Sequence, residues 1–406
     1  MQENKKHIAL VTTWFPPQIG VAVNRMLAFV KYLNYDKFDI SVITLRSNSE
    51  QEQEKMEGAK VYRIKNNSFL YSIPTIAGEP KIIHNLKVLW NVLLNNIKTF
   101  EYSVWMESAI DQLETIHSQT KIDVVISSFS PVEAHLAANN FCKKHPEVKW
   151  IADMRDEMSR NPHASPKIQK HLAKIEYTIN KRANAITTVS EPILNDFKKI
   201  LSSIKYFEEV RNGFDHNFPI TNNFNEIFTI AYAGTFYGTR KPNTFFKGLK
   251  QFTHKTDSKI RLQFIGTNKN FDLPYELVSS SEFIPILDNK EAVERISKAD
   301  ANLLILPSIE RKGVYTGKIF DYISVMKPVI AVCDSSDVAA KLIREMNAGF
   351  IADFNDINQI EQAISSAYNL WRDKKSLSMN KEKVDLLHRK YQVKKLELLI
   401  DKLLSE

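Results

Sequence analysis

The chain has few cysteines and no long hydrophobic run, and each lack excludes a class of protein. Only two cysteines, Cys142 and Cys333, occur in 406 residues. Two distant cysteines cannot build a disulfide scaffold or a cysteine zinc site, so they indicate a reducing compartment. No apolar run reaches the roughly 18 residues that a membrane-spanning helix needs. We therefore expect a cytoplasmic protein.

Motifs of two common classes of nucleotide-binding enzyme are also missing. No G-x-G-x-x-G follows a predicted strand and no Walker lysine loop occurs, which argues against a dinucleotide dehydrogenase and a P-loop enzyme. The ten histidines do not recur at metal-ligand spacing, and His135 lies within a helical pattern, where we interpret it as structural. The sequence therefore predicts no metal site and no bound cofactor.

The composition is that of an ordinary globular protein with more than one domain. Apolar residues make up 43% and charged residues 25% of the chain, and 406 residues exceed what one core usually holds. The formal net charge of +8 suits anionic ligands or an anionic membrane surface, although a mixed, solvated surface explains most of the lysines. We expect no nucleic-acid partner.

Short apolar runs alternate with helical stripes along the chain. After the first run, apolar residues recur at helical spacing from Ala22 through Met26 and Phe29 to Leu33. Strands that alternate with helices predict parallel sheets with right-handed crossovers. The predicted strands are HIALVTT, FDISVITL, KVYRI, IDVVISS, VKWIAD, NAITTVS, IFTIAYAGT, KIRLQFIGT, EFIPIL, ANLLILP and PVIAVC.

A polar stretch, NFPITNNFNE, interrupts this alternation. We therefore predict an N-terminal domain over 1–218 and a C-terminal domain over 219–375. A helical tail over 376–406 is expected to pack back towards the N-terminal domain. The predicted fold class is α/β, with two doubly wound Rossmann-like domains facing across a cleft.

Ligands of such sheets bind beyond the carboxyl ends of the strands, and one loop there combines glycine with a cation. In IAYAGTFYGTRKP, Gly234, Thr235 and Arg240 follow a strand. The glycine lets a ligand approach the backbone, and the cation suits a phosphate. A turn with solvated cations explains the same residues.

A second such loop precedes TGKIFDYISVMKPVIAV, where Lys318 lies in the first turn of a helix predicted from near Thr316 to before Pro328. A cation is unfavourable there because the helix dipole is positive at that end, but a bound anion would reverse this. Asp321 lies on the same helical face and could accept hydrogen bonds from ribose hydroxyls. The alternative is a surface ion pair of Lys318 with Asp321.

This second stretch resembles a motif of nucleotide-sugar glycosyltransferases with the GT-B fold, of the family 4 type. Its residues match G-K-[LI]-[FY]-[ED]-Y-L followed by K-P-[VI]-[LI]-A over 317–323 and 327–331. Other stretches resemble the family in the expected order over about residues 7 to 355. They are TTWFPPQIG, DVVISSFSPVEAHLAA, WIADMRDEM, ITTVSEPI, VRNGFDHNFP and YAGTFYG.

The resemblance implies a retaining transfer of a sugar from a nucleotide-diphosphate sugar to a glycan or lipid-linked acceptor, in cell-surface polysaccharide synthesis. It assigns Arg240 and Lys318 to stabilise the leaving diphosphate. Asp156 would face the sugar or the acceptor hydroxyl, although a helix cap or an ion pair with Arg155 explains it equally. The implied donor-binding residues are Gly20, Asn212, Gly234, Thr235, Gly317 and Asp321.

The chain departs from the family pattern at several positions. Many relatives carry an acid where this chain has Gly313, and Glu310 lies three residues too early. Gly20 is followed by Val21 instead of a second glycine. Many relatives use a histidine in the region where this chain has Met154, Arg155 and Asp156. The absence of an Asp-x-Asp pair, the signature of metal-dependent transferases of the other common fold, implies a metal-independent enzyme.

Two other functions fit the same fold. A nucleotide-sugar epimerase or hydrolase would use the same donor but needs a fuller set of catalytic acids and histidines. A catalytically inactive nucleotide-binding partner of another transferase fits the missing acid at Gly313.

The segment NLKVLWNVLLNNIKTFEYSVW predicts one helix over 85–105 with an apolar face. That face packs on the acceptor domain or docks on the inner face of a membrane, so peripheral membrane contact is an alternative. If the helix did both, Trp90 and Trp105 would lie outside the core. The apolar face consists of Leu86, Leu89, Leu93, Ile97, Phe100 and Val104.

Overall fold

The computed structural model describes residues 5–46, 50–67, 80–95, 101–218, 223–236, 240–267, 271–306 and 313–406. The chain divides into two compact units. The first unit contains Met1–Val210 and Val393–Glu406, and the second contains Arg211–Gln392. The sequence predicts a domain boundary between 218 and 219 and a tail from 376. In the structure the units divide between Val210 and Arg211, and the second extends to Gln392.

The described residues of the first unit form an eight-stranded sheet. Its strands are β1 (Lys6–Val11), β2 (Phe38–Leu45), β3 (Gln53–Met56), β4 (Ala59–Ile64), β5 (Val124–Phe129), β6 (Lys149–Met154), β7 (Ala185–Thr188) and β8 (Tyr206–Glu209). Their order is β3-β4-β2-β1-β5-β6-β7-β8, and all neighbours are parallel except the hairpin β3–β4. Every residue of β5 and all but the first of β1 are buried, as expected for strands covered on both faces.

Helices connect these strands. They are α1 (Val21–Tyr32), α2 (Lys81–Asn95), α3 (Ser103–Gln119), α4 (Glu133–Lys144), α5 (Pro166–Arg182) and α6 (Glu191–Ile200). In α1 the predicted stripe is confirmed, because Met26 and Phe29 are fully covered in the core and Leu33 is buried beside them.

The segment 85–105 differs from its prediction. Helix α2 ends at Asn95 and α3 begins at Ser103, and Glu101 and Tyr102 form a turn, so the prediction of one helix is wrong. The backbone N–H of Tyr102 donates to the buried Glu133 carboxylate at 3.3 Å, which fixes a new helix start there. Trp105 is fully buried, against the suggestion that it lies outside the core, whereas Trp90 is 37% exposed. Ile97 and Phe100 lie outside the described residues.

The described residues of the second unit form a six-stranded, fully parallel sheet. Its strands are β9 (Phe228–Ala233), β10 (Ile260–Ile265), β11 (Ser281–Ile284), β12 (Ala301–Leu306), β13 (Val329–Cys333) and β14 (Gly349–Ala352). The helices around it are α7 (Asn243–Thr256), α8 (Asn289–Lys298), α9 (Gly317–Ser324), α10 (Val338–Met346), α11 (Ile357–Arg372) and α12 (Lys381–Asp385), with a 3₁₀ turn at Tyr275–Leu277. The order β11-β10-β9-β12-β13-β14 is that of the Rossmann fold.

The last helix, α13 (Arg389–Leu404), begins in the second unit and ends in the first. Its apolar residues are buried in the core of the first unit beside Met26 and Phe29 of α1. They are Val393, Leu396, Leu399, Ile400 and Leu403. The predicted class, two doubly wound α/β units with parallel sheets, is confirmed.

Candidate functional site

The sheet of the second unit reverses its strand order between β9 and β12. Ligands of doubly wound sheets bind at this switch point, beyond the carboxyl ends of the strands. Gly234 and Thr235 follow β9, and α9 begins in the connection that follows β12. The structure thus brings two separately predicted loops, those of Gly234 and Lys318, to one place.

Gly234 allows the Lys318 side chain to cross the end of β9. Its φ is +98°, and a Cβ atom there would lie 2.8 Å from Lys318 Cε and 2.9 Å from Nζ. The Gly234 N–H donates to the Ile265 carbonyl at 2.7 Å, and Thr267 Oγ1 donates to the Gly234 carbonyl at 2.9 Å. This backbone is therefore fixed on both sides, and a side chain here would be strained at this φ and would displace the end of Lys318.

Lys318 is held by an aromatic residue instead of a carboxylate. Its Nζ donates to the Tyr232 hydroxyl at 2.8 Å and lies 4.2 Å from the centre of the Tyr232 ring. Burial lowers the pKa of Lys318 to about 7, and the nearby Arg240 adds to the effect. Among the described residues Lys318 forms no ion pair with Asp321, so the alternative of a surface pair is wrong. An anion would restore the full charge of Lys318.

The start of α9, like that of α7, lacks the side-chain cap that several other helices of the unit have. Helices α8, α10 and α11 begin after Asp288, Asp337 and Asp356, whose carboxylates accept backbone N–H groups. Helix α9 begins after Thr316, whose side chain caps nothing and whose buried Oγ1 has no hydrogen-bond partner in the described part of the chain. Its first turn, with Gly317 and Lys318, has no acidic residue. These amide groups can bind an anion.

Asp321 lies one turn further along α9, beside a histidine that the sequence did not reveal. The Asp321 carboxylate is 24% exposed, and its Oδ1 lies 4.0 Å from His216 Nε2. Burial raises the pKa of Asp321 to about 7, although Arg389 opposes the shift. The group therefore changes charge near neutral pH.

The hydrogen bonds around His216 determine its tautomer. Ser324 Oγ donates to the Asp321 backbone carbonyl at 2.7 Å and lies 2.8 Å from His216 Nε2. Because the hydroxyl hydrogen is used, the ring donates from Nε2 and its buried Nδ1 remains an acceptor, with no partner among the described residues. Burial lowers the pKa of His216 to about 4, helped by His388 and Arg389. The imidazole is neutral at pH 7.

A cavity of about 410 Å³ adjoins His216. It is lined by residues 215–218 together with Asn289, Lys290 and Val293. Aromatic side chains flank the histidine, with ring centres of Phe214 and Phe218 at 5.2 and 5.1 Å. The cavity thus shares His216 with the surroundings of Asp321, and aromatic and basic residues lie around it.

Asn212 lies on the segment that pairs with the residues before α13. Arg389 Nε donates to the Asn212 carbonyl at 3.1 Å, and the Asn212 Oδ1 is buried without a partner in the described residues. A Cβ at Gly213 would lie 2.3 Å from the Leu387 carbonyl oxygen, and its φ is +69°. Arg389 connects this segment to Asp321 through their electrostatic interaction.

Gly313 occupies the position of the expected acid and is buried. Its N–H donates to Asp337 Oδ1 at 2.8 Å. The Asp337 carboxylate is therefore engaged by the loop and by the start of α10. Glu310 lies outside the described residues.

The remaining predicted residues, Gly20 and Asp156, belong to the first unit. Gly20 precedes α1 with φ +152°, and a Cβ there would meet no atom within 4 Å. Asp156 follows β6 and is half-buried beside Arg155. His135 is fully buried, with Nδ1 2.7 Å from Ser127 Oγ, which confirms its structural interpretation.

A buried ion pair lies near Asp156, between Asp153 at the end of β6 and Arg25 of α1. Asp153, at 0% exposure, accepts Arg25 Nε at 3.0 Å and Arg25 Nη2 at 2.6 Å. Ser128 and Thr187 donate the other two hydrogen bonds, at 3.0 and 2.7 Å. Although burial opposes ionisation, Arg25 and these donors hold the pKa of Asp153 below its usual range. The network joins α1, β5, β6 and β7.

The first unit also gathers histidines that sequence spacing failed to connect. His117, His145 and Glu147 offer ligand atoms within 4.8 Å of one another, and Glu114 Oε2 lies 2.8 Å from His145 Nε2. The Ile122 N–H donates to His117 Nδ1 at 3.1 Å, so the neutral ring carries its proton on Nε2, the atom that faces Glu147. The three residues could hold a metal only if His117 gave up that arrangement.

No protein-family model matches the chain, and no curated protein matches its sequence. Sucrose-phosphate synthase from Thermosynechococcus elongatus is similar in structure, with a TM-score of 0.65 and 12% identity over 99% of this chain and 100% of that one. The lipopolysaccharide outer core galactosyltransferase WaaB has a TM-score of 0.60 and 13% identity over 98% and 99% of the two chains. HepE from Anabaena, solved in complex with UDP-glucose, has a TM-score of 0.58 and 11% identity over 98% and 99%.

The chain has the GT-B fold. At these identities the likeness establishes the fold and leaves the reaction to be argued from the site. Each of the three matches includes almost all of both chains, so the similarity extends over both units of this protein.

Proposed function

We propose that the protein is a glycosyltransferase that uses a nucleotide-diphosphate sugar as donor. The observation that carries this proposal is Lys318, a half-buried cation at an uncapped helix start, with no carboxylate partner among the described residues. Such a group is costly unless it meets an anion. The complex of HepE with UDP-glucose shows that this fold accommodates such a donor.

The geometry of the second unit supports a binding mode for the donor. The diphosphate would bind the amides of α9, with Lys318 and Arg240 neutralising it and Gly234, Thr235 and Gly317 allowing a close approach. Asp321, as a carboxylate, would accept hydrogen bonds from the ribose, near Asn212. The base would enter the cavity beside the neutral His216.

For the reaction we propose the family 4 type, with retention of configuration and without a metal ion. Lys318 and Arg240 would stabilise the charge that develops on the departing diphosphate. The protein would otherwise act by positioning donor and acceptor, with Asp156 and Gly20 contributed by the first unit. The acceptor would be a glycan or a lipid-linked sugar in cell-surface polysaccharide synthesis.

The decisive experiment measures thermal stability against a panel of nucleoside diphosphates and nucleotide-sugars. A ligand that binds only the folded protein stabilises it by about 2.7 kcal/mol at a hundredfold excess over its dissociation constant. One nucleotide should raise the melting temperature of the wild type but not of Lys318→Ala. Lys298→Ala serves as the control, because Lys298 is exposed and paired with Glu294 at 2.6 Å. If no nucleotide changes the melting temperature, the proposal is wrong.

The second candidate is a nucleotide-binding protein without activity. It is favoured by Gly313, which has no carboxylate at the position of the expected acid and whose backbone N–H donates to Asp337. Turnover of the donor with and without sugar acceptors separates the candidates. A transferase consumes donor only with acceptor, and an epimerase or hydrolase consumes donor alone. A binding partner does neither but is still stabilised by the nucleotide.

We further propose that the protein works at the inner face of a membrane, through α2. This helix carries Lys81 and Lys87 and no acidic residue, and its large apolar side chains are exposed, at 61% for Leu86 and 56% for Leu89. This combination is typical of helices that lie on an anionic lipid surface. None of the described helices is both long and apolar enough to cross a bilayer.

Sedimentation with phosphatidylglycerol vesicles tests this contact. We expect the wild type to bind and the double variant Leu86→Asp/Leu89→Asp to remain in solution. Leu398→Asp is the matched control, since Leu398 on α13 is 58% exposed. Equal binding by all three proteins would refute the role of α2.

A further inference from the structure

Arg155 lies beyond the carboxyl end of β6, next to the candidate residue Asp156. Its Nη2 donates to the Ser130 carbonyl at 3.0 Å, in the loop that follows β5. Because β5 and β6 are neighbours in the sheet, the guanidinium lies across two adjacent strand ends. This is the edge at which a doubly wound sheet binds its ligand.

The nearest buried carboxylate is not available to Arg155. Both oxygens of Asp153 are occupied, each by one nitrogen of Arg25 and one hydroxyl group. The charge of Asp153 is therefore balanced by Arg25, and Arg155 adds a second cation that this carboxylate does not neutralise. Asp153 and then Asp156 attract Arg155 electrostatically, but in the described part of the chain neither carboxylate forms an ion pair with it within 4 Å.

The Arg155 guanidinium is also incompletely hydrogen-bonded. Its Nε is buried and has no partner among the described residues, and burial lowers the pKa of the group despite the nearby carboxylates. A desolvated cation with an unused donor is unfavourable in isolation and is expected where a charged ligand binds. Arginine is suited to the task because its planar fork binds phosphate and carboxylate through two bonds.

We propose that Arg155 binds an oxyanion group, phosphate or carboxylate, on the acceptor. The inference rests on the proposed function, in which the first unit holds the acceptor. An acceptor with an anionic group near a free hydroxyl would place the anion on Arg155 and the hydroxyl beside Asp156. The acceptor class is then an acidic or phosphorylated sugar, and a neutral sugar lacks the group that Arg155 recognises.

Calorimetric titration of the full chain with glucose 6-phosphate, glucuronate, glucose and inorganic phosphate tests this proposal. In the wild type we expect the phosphorylated or the acidic sugar to bind, and the preferred one identifies the oxyanion. Arg155→Gln should weaken that binding by about tenfold or more, since hydrogen bonds to charged groups contribute on that scale. Arg155→Lys should restore part of it. Arg160→Gln should match the wild type, because Arg160 is exposed and paired with Asp196 at 3.2 Å.

Lys318→Ala keeps this experiment separate from the donor site. It should lose nucleotide binding and keep sugar binding, whereas Arg155→Gln should keep the melting-temperature increase with nucleotide, which also shows that it is folded. The proposal is overturned if Arg155→Gln binds the charged sugars as the wild type does, or if only inorganic phosphate binds and Lys318→Ala removes it. If no nucleotide stabilises the wild type, the proposed function itself has failed.

Discussion

Two carboxylates near the strand ends of the two sheets have opposite surroundings. Asp153 in the first unit is fully buried and receives four hydrogen bonds, two of them from Arg25. Asp321 in the second unit is partly exposed, and its nearest described basic nitrogen, on His216, lies at 4.0 Å. Their pKa values move accordingly, below the usual range for Asp153 and up to about 7 for Asp321.

The difference distinguishes an ionised side chain that stabilises the fold from one that binds a ligand. A buried charge with all its bonds made within the protein fixes the positions of the elements that donate them. A charge left without a partner costs stability until a ligand arrives. Lys318 and Asp321 are of the second kind.

The largest effect is expected at Asp153. Asp153→Asn leaves Arg25 buried without its counterion, and such changes cost about 3–5 kcal/mol. Urea unfolding, monitored by tryptophan fluorescence, measures the loss of unfolding free energy of the first unit. Asp196→Asn, in an exposed pair with Arg160, should cost less than about 1 kcal/mol. Similar losses in both variants would contradict the comparison.

Gly234→Ala should combine a stability loss with a binding loss. The φ of +98° costs a residue with a Cβ about 1–3 kcal/mol, and the new methyl group displaces Lys318. Gly58→Ala is the control in the first unit, with φ +92° and a Cβ 2.9 Å from the Tyr35 ring. The melting temperature should fall in both variants, and the affinity for nucleotide should fall only in Gly234→Ala.

The affinity for nucleotide should be greatest near pH 7. Above it Lys318 loses its proton, and below it Asp321 gains one, because the pKa of each lies at about 7. On the acidic and on the alkaline side of this maximum, the affinity should fall by a factor that approaches about ten per pH unit. Calorimetry from pH 5.5 to 8.5 measures the profile.

Variants show which residue causes each side of the pH profile and distinguish both from the titration of the nucleotide itself. Lys318→Ala should abolish the fall on the alkaline side, and Asp321→Asn should abolish the fall on the acidic side. An unchanged profile in both variants would show that neither residue meets the ligand.

The smallest predicted effect is an increase in stability. Lys318→Met removes a cation without a carboxylate partner among the described residues, and we expect an increase in unfolding free energy of about 0.5–2 kcal/mol at pH 7. Because the folded state lowers the pKa of Lys318, the unfolded chain binds more protons between pH 7 and 10. The wild type therefore gains stability over that range, and the advantage of the variant should shrink. A destabilised Lys318→Met would mean that the lysine is structural.

Much of the fold could be predicted because its strands are buried on both faces. Eleven sequence runs, from HIALVTT to PVIAVC, correspond to strands of the two sheets. The missed strands β3, β8 and β14 have four residues each, and β3 and β8 also contain charged residues. At β14, a Cβ on Gly349 would lie 2.0 Å from the Val329 carbonyl oxygen, so close backbone packing, invisible in the sequence, requires glycine there.

The site was predictable where its residues share one element and hidden where they come from several. Lys318 and Asp321 follow from the helical pattern of α9. Tyr232 gave a usable signal, because it lies near the carboxyl end of β9, where ligands of such sheets bind. His216 gave none, since its position beside Ser324 depends on how two distant segments pack.

The return of α13 into the first core has a consequence for synthesis. Roughly 180 residues separate Val210 from Val393, which a ribosome takes about 10–40 s to add. Throughout that time the first unit lacks Leu396, Ile400 and Leu403 of its core, whereas the second unit is contiguous and is complete once Gln392 emerges. The usual order of folding during translation, with the N-terminal domain first, is therefore not open to this chain: the core of the first unit is completed only when the end of the chain is made.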